Sequence, residues 1–332
     1  MSQLALARTF LFFDHGMPTI DAPVSIGRSP GPHDTFHNVI YFPDCLALYD
    51  RDGLRLEATC IRRGAEQKVI GSPPGQVVVP SDLPITMEPV VYLGPLYWSH
   101  WGHFLTVGIA RLWSLHAVPA LQEVPHLAHR RFMDDAPITY IDNFLSMLGC
   151  VQPLLIPRVP TLFSEVIVPK PSFVIRAWAF QEHTIATYAV ARRVQTEPIG
   201  APIYVSRSRL KRQQDVVEGE VELESHLVRA GIEIVHPQEL SLERQVQLFS
   251  SRNIFIGVLG SALHSILFNW RNDSNTIILC PQSVNTNYFL VDELVKTRAT
   301  YIRCVDLPKR AAGVLQLNVD AALQGLRDVG FL

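Results

Sequence analysis

The sequence predicts an α/β protein whose second half is a Rossmann-like parallel sheet, and three observations carry that expectation. From about residue 200 onward, short buried apolar runs alternate with helix-length segments, the pattern of parallel strands joined by crossover helices. The stretch from Asn253 to Trp270 reads as a buried strand, a turn bracketed by Gly257 and Gly260, and a helix start that Ser261 is placed to cap. A length of 332 residues exceeds one ordinary compact core, which predicts two domains.

Residues 1–90 carry many Pro, Gly and Asp punctuations between short apolar runs such as Asn38 to Phe42 and Gln76 to Pro80, a strand-rich, irregular region. Residues 91–195 read as a first Rossmann-like domain: an apolar helix from Ser99 to about Ala117, a strand at Ile138 to Ile141, a short helix at Asn143 to Gly149, a strand at Val166 to Val168, and a helix from about Phe180. Thr196 to Pro202 is the best linker candidate.

The second domain, residues 203–307, is more regular. Strands are expected at Ile203 to Ser206, Ile232 to Val235, Asn253 to Val258, Thr276 to Leu279 and Tyr301 to Val305. Helices fall between them at about residues 217–230, 241–251, from 261, and 287–296. Residues 308–332 end in a helix that packs on either domain.

A net charge of −2 gives no global basic field, which excludes nucleic acid as the expected partner. Five scattered cysteines, never at metal-like spacing, read as buried thiols of a reducing compartment. The apolar run Thr9 to Phe13 is ended by Asp14 too soon for a signal-peptide core, and no stretch is long enough to cross a bilayer. A cytoplasmic protein is expected, with peripheral contact to a membrane or a membrane-bound acceptor left open.

Candidate chemistry concentrates at predicted strand ends. The loop Ser206-Arg-Ser-Arg-Leu-Lys-Arg212 puts four cations within seven residues at the carboxyl end of a parallel strand. Arginine forks suit phosphate oxygens, although a solvated surface loop explains residue types alone as well. The Gly257 to Ser261 turn on the same sheet edge places helix-start N–H groups where an anion binds, so a diphosphate-bearing ligand is the preferred reading. His264, one turn further on, could reach a phosphate or a sugar hydroxyl, or be satisfied by packing.

In the helix after Ser99, His100, His103, Thr106 and Arg111 share one polar arc that should face a wet cleft. Hydrogen bonding or proton transfer ranks above metal ligation by His100 and His103, and His33, Asp34 and His37 are as well explained by a loop beside a strand. Walker, Cys-x-x-Cys and full dinucleotide-binding motifs are absent from the sequence.

Ile203-Tyr-Val-Ser-Arg207, Arg212, Gly219-Glu-Val-Glu-Leu223, Leu240-Ser-Leu-Glu-Arg-Gln245 and Gly257-Val-Leu-Gly-Ser-Ala-Leu263 together resemble glycosyltransferase family 61. Upstream, Trp101-Gly-His-Phe-Leu105 with Arg111-Leu-Trp113 resembles that family's His-Phe/Trp-Leu helix. The resemblance spans about residues 98–305. Three positions depart from the usual pattern: Gly219 stands in place of Asn, Leu259 in place of His, and Leu279 to Cys280 lacks an acidic residue.

The resemblance implies a GT-B-like fold of two facing Rossmann-like domains with a strand-rich N-terminal extension. It implies an inverting, metal-independent hexosyl- or pentosyltransferase that needs no cofactor beyond a nucleotide-sugar co-substrate. The acceptor would be a saccharide or lipid-linked saccharide, in capsule or exopolysaccharide assembly. It assigns His103 as catalytic base, Arg207, Arg212, Glu220, Gln245, Gly260, Ser261 and His264 to the donor, and His100 and Arg111 to the acceptor. The departures motivate the alternative of a non-catalytic nucleotide- or saccharide-binding partner in a polysaccharide assembly complex.

Overall fold

The computed structural model describes residues 8–97, 100–130, 139–194, 196–210, 216–307 and 314–332. The chain is mixed α/β and divides into two compact units, one formed by residues up to 21 together with 191–332, the other by residues 22–190. Among the described residues no helix is long and apolar enough to cross a membrane.

The first unit is built on six parallel strands: β1 (Thr9–Leu11), β2 (Ile203–Val205), β3 (Glu233–Val235), β4 (Ile254–Val258), β5 (Asn275–Cys280) and β6 (Arg298–Arg303). Their order across the sheet is β1-β6-β5-β4-β2-β3. Four helices accompany them: α1 (Glu220–Arg229), α2 (Leu242–Ser251), α3 (Thr286–Val295) and α4 (Val319–Asp328). Tyr204, Ile256, Ile277, Leu279 and Ile302 from the strands pack with Leu223 and Leu227 of α1 and Leu323 and Leu326 of α4 in one core cluster. These are near-continuous apolar strands covered by amphipathic helices, as parallel sheets require.

Sequence and structure agree on β2 to β5 within a residue or two and differ elsewhere in this unit, where β6 spans Arg298–Arg303 instead of the expected Tyr301 to Val305. The expected helix from residue 217 opens instead with a short strand, Val217–Glu218, paired with Leu315–Leu317, and α1 starts at Glu220. The helix after β4 is a 3-10 helix, Ser261–Phe268. Residues placed by sequence in the N-terminal region also join this unit: β1 pairs β6 in register Thr9 to Thr300 at the sheet edge, and Thr19–Ile20 pairs Ser283–Val284 in a separate two-stranded sheet. Arg8 ties that segment to α3, donating to Glu293 at 2.7 Å and lying 3.6 Å from the buried Asp292.

The second unit carries a mixed sheet. Leu154–Leu155, His126–Arg130, Val90–Tyr97 and Thr161–Val168 run parallel in that order, and Asp34–Tyr41 then pairs antiparallel with Thr161–Val168. Val39, Tyr41, Val90, Tyr92, Leu127, Phe163 and Val166 form its core. The expected strand at Ile138 to Ile141 is corrected where described: Thr139–Leu148 is a helix burying Ile141, Phe144, Leu145 and Leu148. Spacings of three and four residues on one helical face outweigh the local β-propensity.

The apolar helix expected over residues 99–117 is broken in three. Trp101–His103 is α-helical, Phe104–Gly108 is a π-helical turn, and Trp113–Ala117 resumes the α-helix. His183 holds the wide turn open from outside, its Nε2 2.8 Å from the Leu105 carbonyl. A carbonyl can only accept, so Nε2 carries the proton. Burial pushes the imidazole down to about 4, which keeps it neutral near pH 7 and leaves Nδ1 an acceptor 2.9 Å from the Ser172 hydroxyl, whose single proton is shared with the Ala110 carbonyl at 2.8 Å.

Candidate functional site

In the first unit the chain leaves β2 toward β3 on one side and returns past β2 to β4 on the other. The loops after β2 and β4 therefore diverge and leave a crevice at the carboxyl ends of the strands, the place where open parallel sheets collect ligands. Arg207 follows β2 and Gly260 follows β4, so the sequence-predicted donor residues stand on the two sides of this switch point.

The Arg207 side chain spans it. Nη1 donates to the Leu259 carbonyl at 3.0 Å, and a Cβ added at Gly260 would lie 3.2 Å from that same nitrogen. A residue with no side chain at 260 is thus what lets the guanidinium lie against the turn. The backbone N–H of Arg207 donates to Glu220 Oε1 at 3.1 Å, and the Tyr204 hydroxyl donates to the same oxygen at 3.0 Å. Glu220 is 1% exposed, and burial raises its carboxyl to about 7 against the opposing pull of those two hydrogen bonds. It therefore fixes the Arg207 loop from beneath and does not face the crevice.

Gly219, which precedes it, has φ 88°, and a Cβ there would come 2.8 Å from the Leu317 carbonyl. The left-handed backbone explains the first departure from the family pattern: Asn and Gly are the residues that adopt it most readily.

Helix starts in this unit differ in how they are closed. Ser241 caps α2 at the Arg244 N–H, Asn318 caps α4 at Ala321, and Asn285 caps α3 at Asn287 while Asp21 accepts from the Thr286 N–H at 3.0 Å. Two helix starts have no side-chain cap: α1 at Gly219, and the 3-10 helix after β4 at Gly260. Ser261, expected as the cap, is instead the first helical residue. This helix start combines an uncapped end with an adjacent arginine, an arrangement that attracts an anion.

His264 is 6% exposed, and its ring centroid lies 4.6 Å from that of Tyr288. Tyr288, from the first turn of α3, brings a third strand end into the cluster. Burial raises its phenol pKa while the nearby Arg207 charge opposes the rise. No sequence motif points to this tyrosine.

Gln245 is turned to its own loop, Nε2 donating to the Leu240 carbonyl at 3.2 Å. Arg212 lies outside the described residues. An open cavity of about 530 Å³ runs along edge strand β3 and α2, lined by Glu233, His236, Arg244 and Arg252 among others; none of the predicted donor residues lines it.

In the second unit, Val90–Tyr97 is a central strand, and the broken helix of residues 101–117 comes after its carboxyl end. His100 is the N-cap of that helix: its Nδ1 accepts from the His103 N–H at 3.3 Å, and the two rings are 4.7 Å apart. His100 is exposed and His103 half-buried. Trp101 stands edge-on to Tyr140 at 5.2 Å beside them.

Arg111 goes the other way. It is 4% exposed, donating from Nη1 to the Pro169 carbonyl and from Nη2 to the Ala58 carbonyl at 2.8 Å, with its guanidinium 5.7 Å over the Tyr92 ring. Burial lowers its pKa to about 10. The polar arc read from the sequence is therefore split: His100 and His103 reach the surface, whereas the Arg111 side chain is buried against Pro169, Ala58 and Tyr92.

His37 pairs with Glu165 at 3.7 Å, and among the described residues no group of three or more His, Cys, Asp or Glu side chains is close enough to hold a metal ion.

A sequence-family profile for Glycosyltransferase 61 matches residues 101–279, from the helix carrying His103 through β5. No curated protein matches the chain. The match covers more than half of the 332 residues and contains both the His103 helix and the Arg207–Gly260 crevice; the chain belongs to glycosyltransferase family 61.

Proposed function

We propose that the protein is an inverting glycosyltransferase of the GT-B type, transferring a hexosyl or pentosyl group from a nucleotide-sugar to a saccharide or lipid-linked saccharide acceptor. Capsule or exopolysaccharide assembly in the cytoplasm, at or near a membrane, is the setting we assign. Family membership supports sugar transfer. The single observation that supports the donor assignment is the Arg207 guanidinium bonded to the Leu259 carbonyl beside an uncapped helix start.

Inversion takes one displacement at the anomeric carbon. The acceptor oxygen attacks as its proton passes to a base, and the nucleoside diphosphate leaves with its bonding pair. Arg207 and the N–H groups at Gly260 and Ser261 would stabilise that leaving charge, with His264 beside them, and no metal or cofactor is required for such stabilisation. On the acceptor side His103 would take the proton, its backbone fixed by the His100 ring.

A panel of nucleotide-sugars, assayed for released nucleoside diphosphate with and without saccharide acceptors, tests the reading. Arg207→Ala is expected to abolish donor binding, and His103→Ala to abolish transfer while donor binding persists. Transfer near wild type in His103→Ala would remove the base assignment and leave the phosphate assignment standing. Nucleotide binding without turnover toward any acceptor would favour a binding partner over an enzyme.

A further inference from the structure

The donor residues assigned above come from two strand ends, β2 and β4, and the family match stops at residue 279. The third strand end at this crevice is that of β5, where the sequence lacks the acidic residue of the family pattern. Beyond β5 the chain enters α3, whose N-terminal N–H groups are already engaged by Asn285 and by the Asp21 carboxylate. The helix dipole at this end is therefore answered from within the chain, and α3 is left to offer a ligand a side chain. Tyr288, in the first turn of α3, presents that side chain against His264.

We propose that Tyr288 is a donor-contact residue whose phenolic O–H hydrogen-bonds the diphosphate of a nucleoside diphosphate seated between Arg207 and the Gly260 turn. This rests on the donor reading given above. The geometry behind it is the convergence of Arg207, His264 and Tyr288 from three adjacent strand ends, with the His264 and Tyr288 rings 4.6 Å apart. Because burial holds the phenol protonated, Tyr288 acts as a donor, as does the Arg207 guanidinium, and two donors in one neighbourhood select an anionic acceptor. The N-terminal segment shares in this: Asp21 accepts from the Thr286 N–H at the start of α3, and Arg8 donates to the Phe289 carbonyl and to Glu293.

The test is calorimetric titration of UDP, GDP and inorganic pyrophosphate into the full chain and into Tyr288→Phe, which keeps the ring against His264 and removes only the hydroxyl. A hydrogen bond to a charged group predicts a loss of about 10- to 100-fold in affinity for whichever probe the wild type binds, with an unchanged melting temperature. Equal affinity in wild type and Tyr288→Phe overturns the Tyr288 assignment and leaves the donor site in place. Failure of the wild type to bind any of the three removes the underlying donor reading, and the Tyr288 assignment with it. Should phenylalanine lower the melting temperature, 4-aminophenylalanine at 288 returns a donor: recovery to within about threefold of wild type supports the contact, and a loss equal to that of phenylalanine overturns it.

Discussion

Replacing Glu220 by glutamine isolates the support beneath the Arg207 loop. The side chain is 1% exposed, and its carboxyl is raised from 4.5 to about 7. Between those values the folded protein keeps a proton that the unfolded chain gives up, so unfolding releases a proton and stability falls as pH rises through the window. The stabilising contribution is complete below pH 4.5 and gone above about pH 7. At ~1.4 kcal/mol for each pH step the fall amounts to about 3 kcal/mol, an upper figure for a buried group. Glutamine retains an oxygen to accept from Tyr204 and from the Arg207 N–H, and it cannot titrate. The difference in stability between wild type and Glu220→Gln should therefore shrink or reverse by about 3 kcal/mol from pH 4.5 to 7.5. In melting temperature that is about 6–12 °C for a unit of this size. Thermal melts of both proteins in matched buffers read it directly, because Asp292, also raised to about 7 by burial, titrates in both and cancels. Parallel pH profiles for the two proteins would show that Glu220 is not held protonated, and its role beneath the loop would fall.

Other perturbations separate structural from functional roles. Arg111→Met leaves the Pro169 and Ala58 carbonyls without their donor and should cost about 2–4 kcal/mol in chemical denaturation; undiminished stability with a raised acceptor KM would return Arg111 to the acceptor site. Gly219→Ala, at φ 88° and against the Leu317 carbonyl, should destabilise by about 1–3 kcal/mol, and a neutral result by calorimetry would contradict the left-handed geometry. His183, lowered to about 4 by burial, should make the unit of residues 22–190 lose stability as pH falls from 6.5 toward 4, the reverse of Glu220, and His183→Gln should flatten that acid limb.

The legible part of this fold is the part governed by local pattern. Strands β2 to β5 and helices α2 and α3 announce themselves by apolar runs of strand and helix length. The π-helical turn at Phe104–Gly108 is hidden, because its apolar residues also fit ordinary helical spacing and the cause, His183 on the Leu105 carbonyl, lies 78 residues away. Strand His126–Arg130 gives no alternation to read, since His126, Leu127, Ala128 and His129 are all buried. The edge strand Thr9–Leu11 pairs with a strand nearly 300 residues distant, a choice no local signal encodes.

The candidate site divides the same way. Arg207, Gly260 and His264 are legible because residue type and predicted strand ends coincide. Arg111 is not, because a periodic polar arc does not reveal that backbone carbonyls wait inside for a donor. Glu220 reads as a ligand contact, whereas a buried carboxylate shared by Tyr204 and a loop N–H looks the same in sequence. Tyr288 escapes because ring contact with His264 is a tertiary fact.

A structure of the protein with a bound nucleoside diphosphate tests the central claim most directly. Phosphate oxygens are expected within about 3 Å of the Arg207 guanidinium and of the N–H groups at Gly260 and Ser261. A diphosphate seated elsewhere, such as in the cavity along β3 and α2 between His236 and Arg252, with the Arg207–Leu259 hydrogen bond undisturbed, would contradict it.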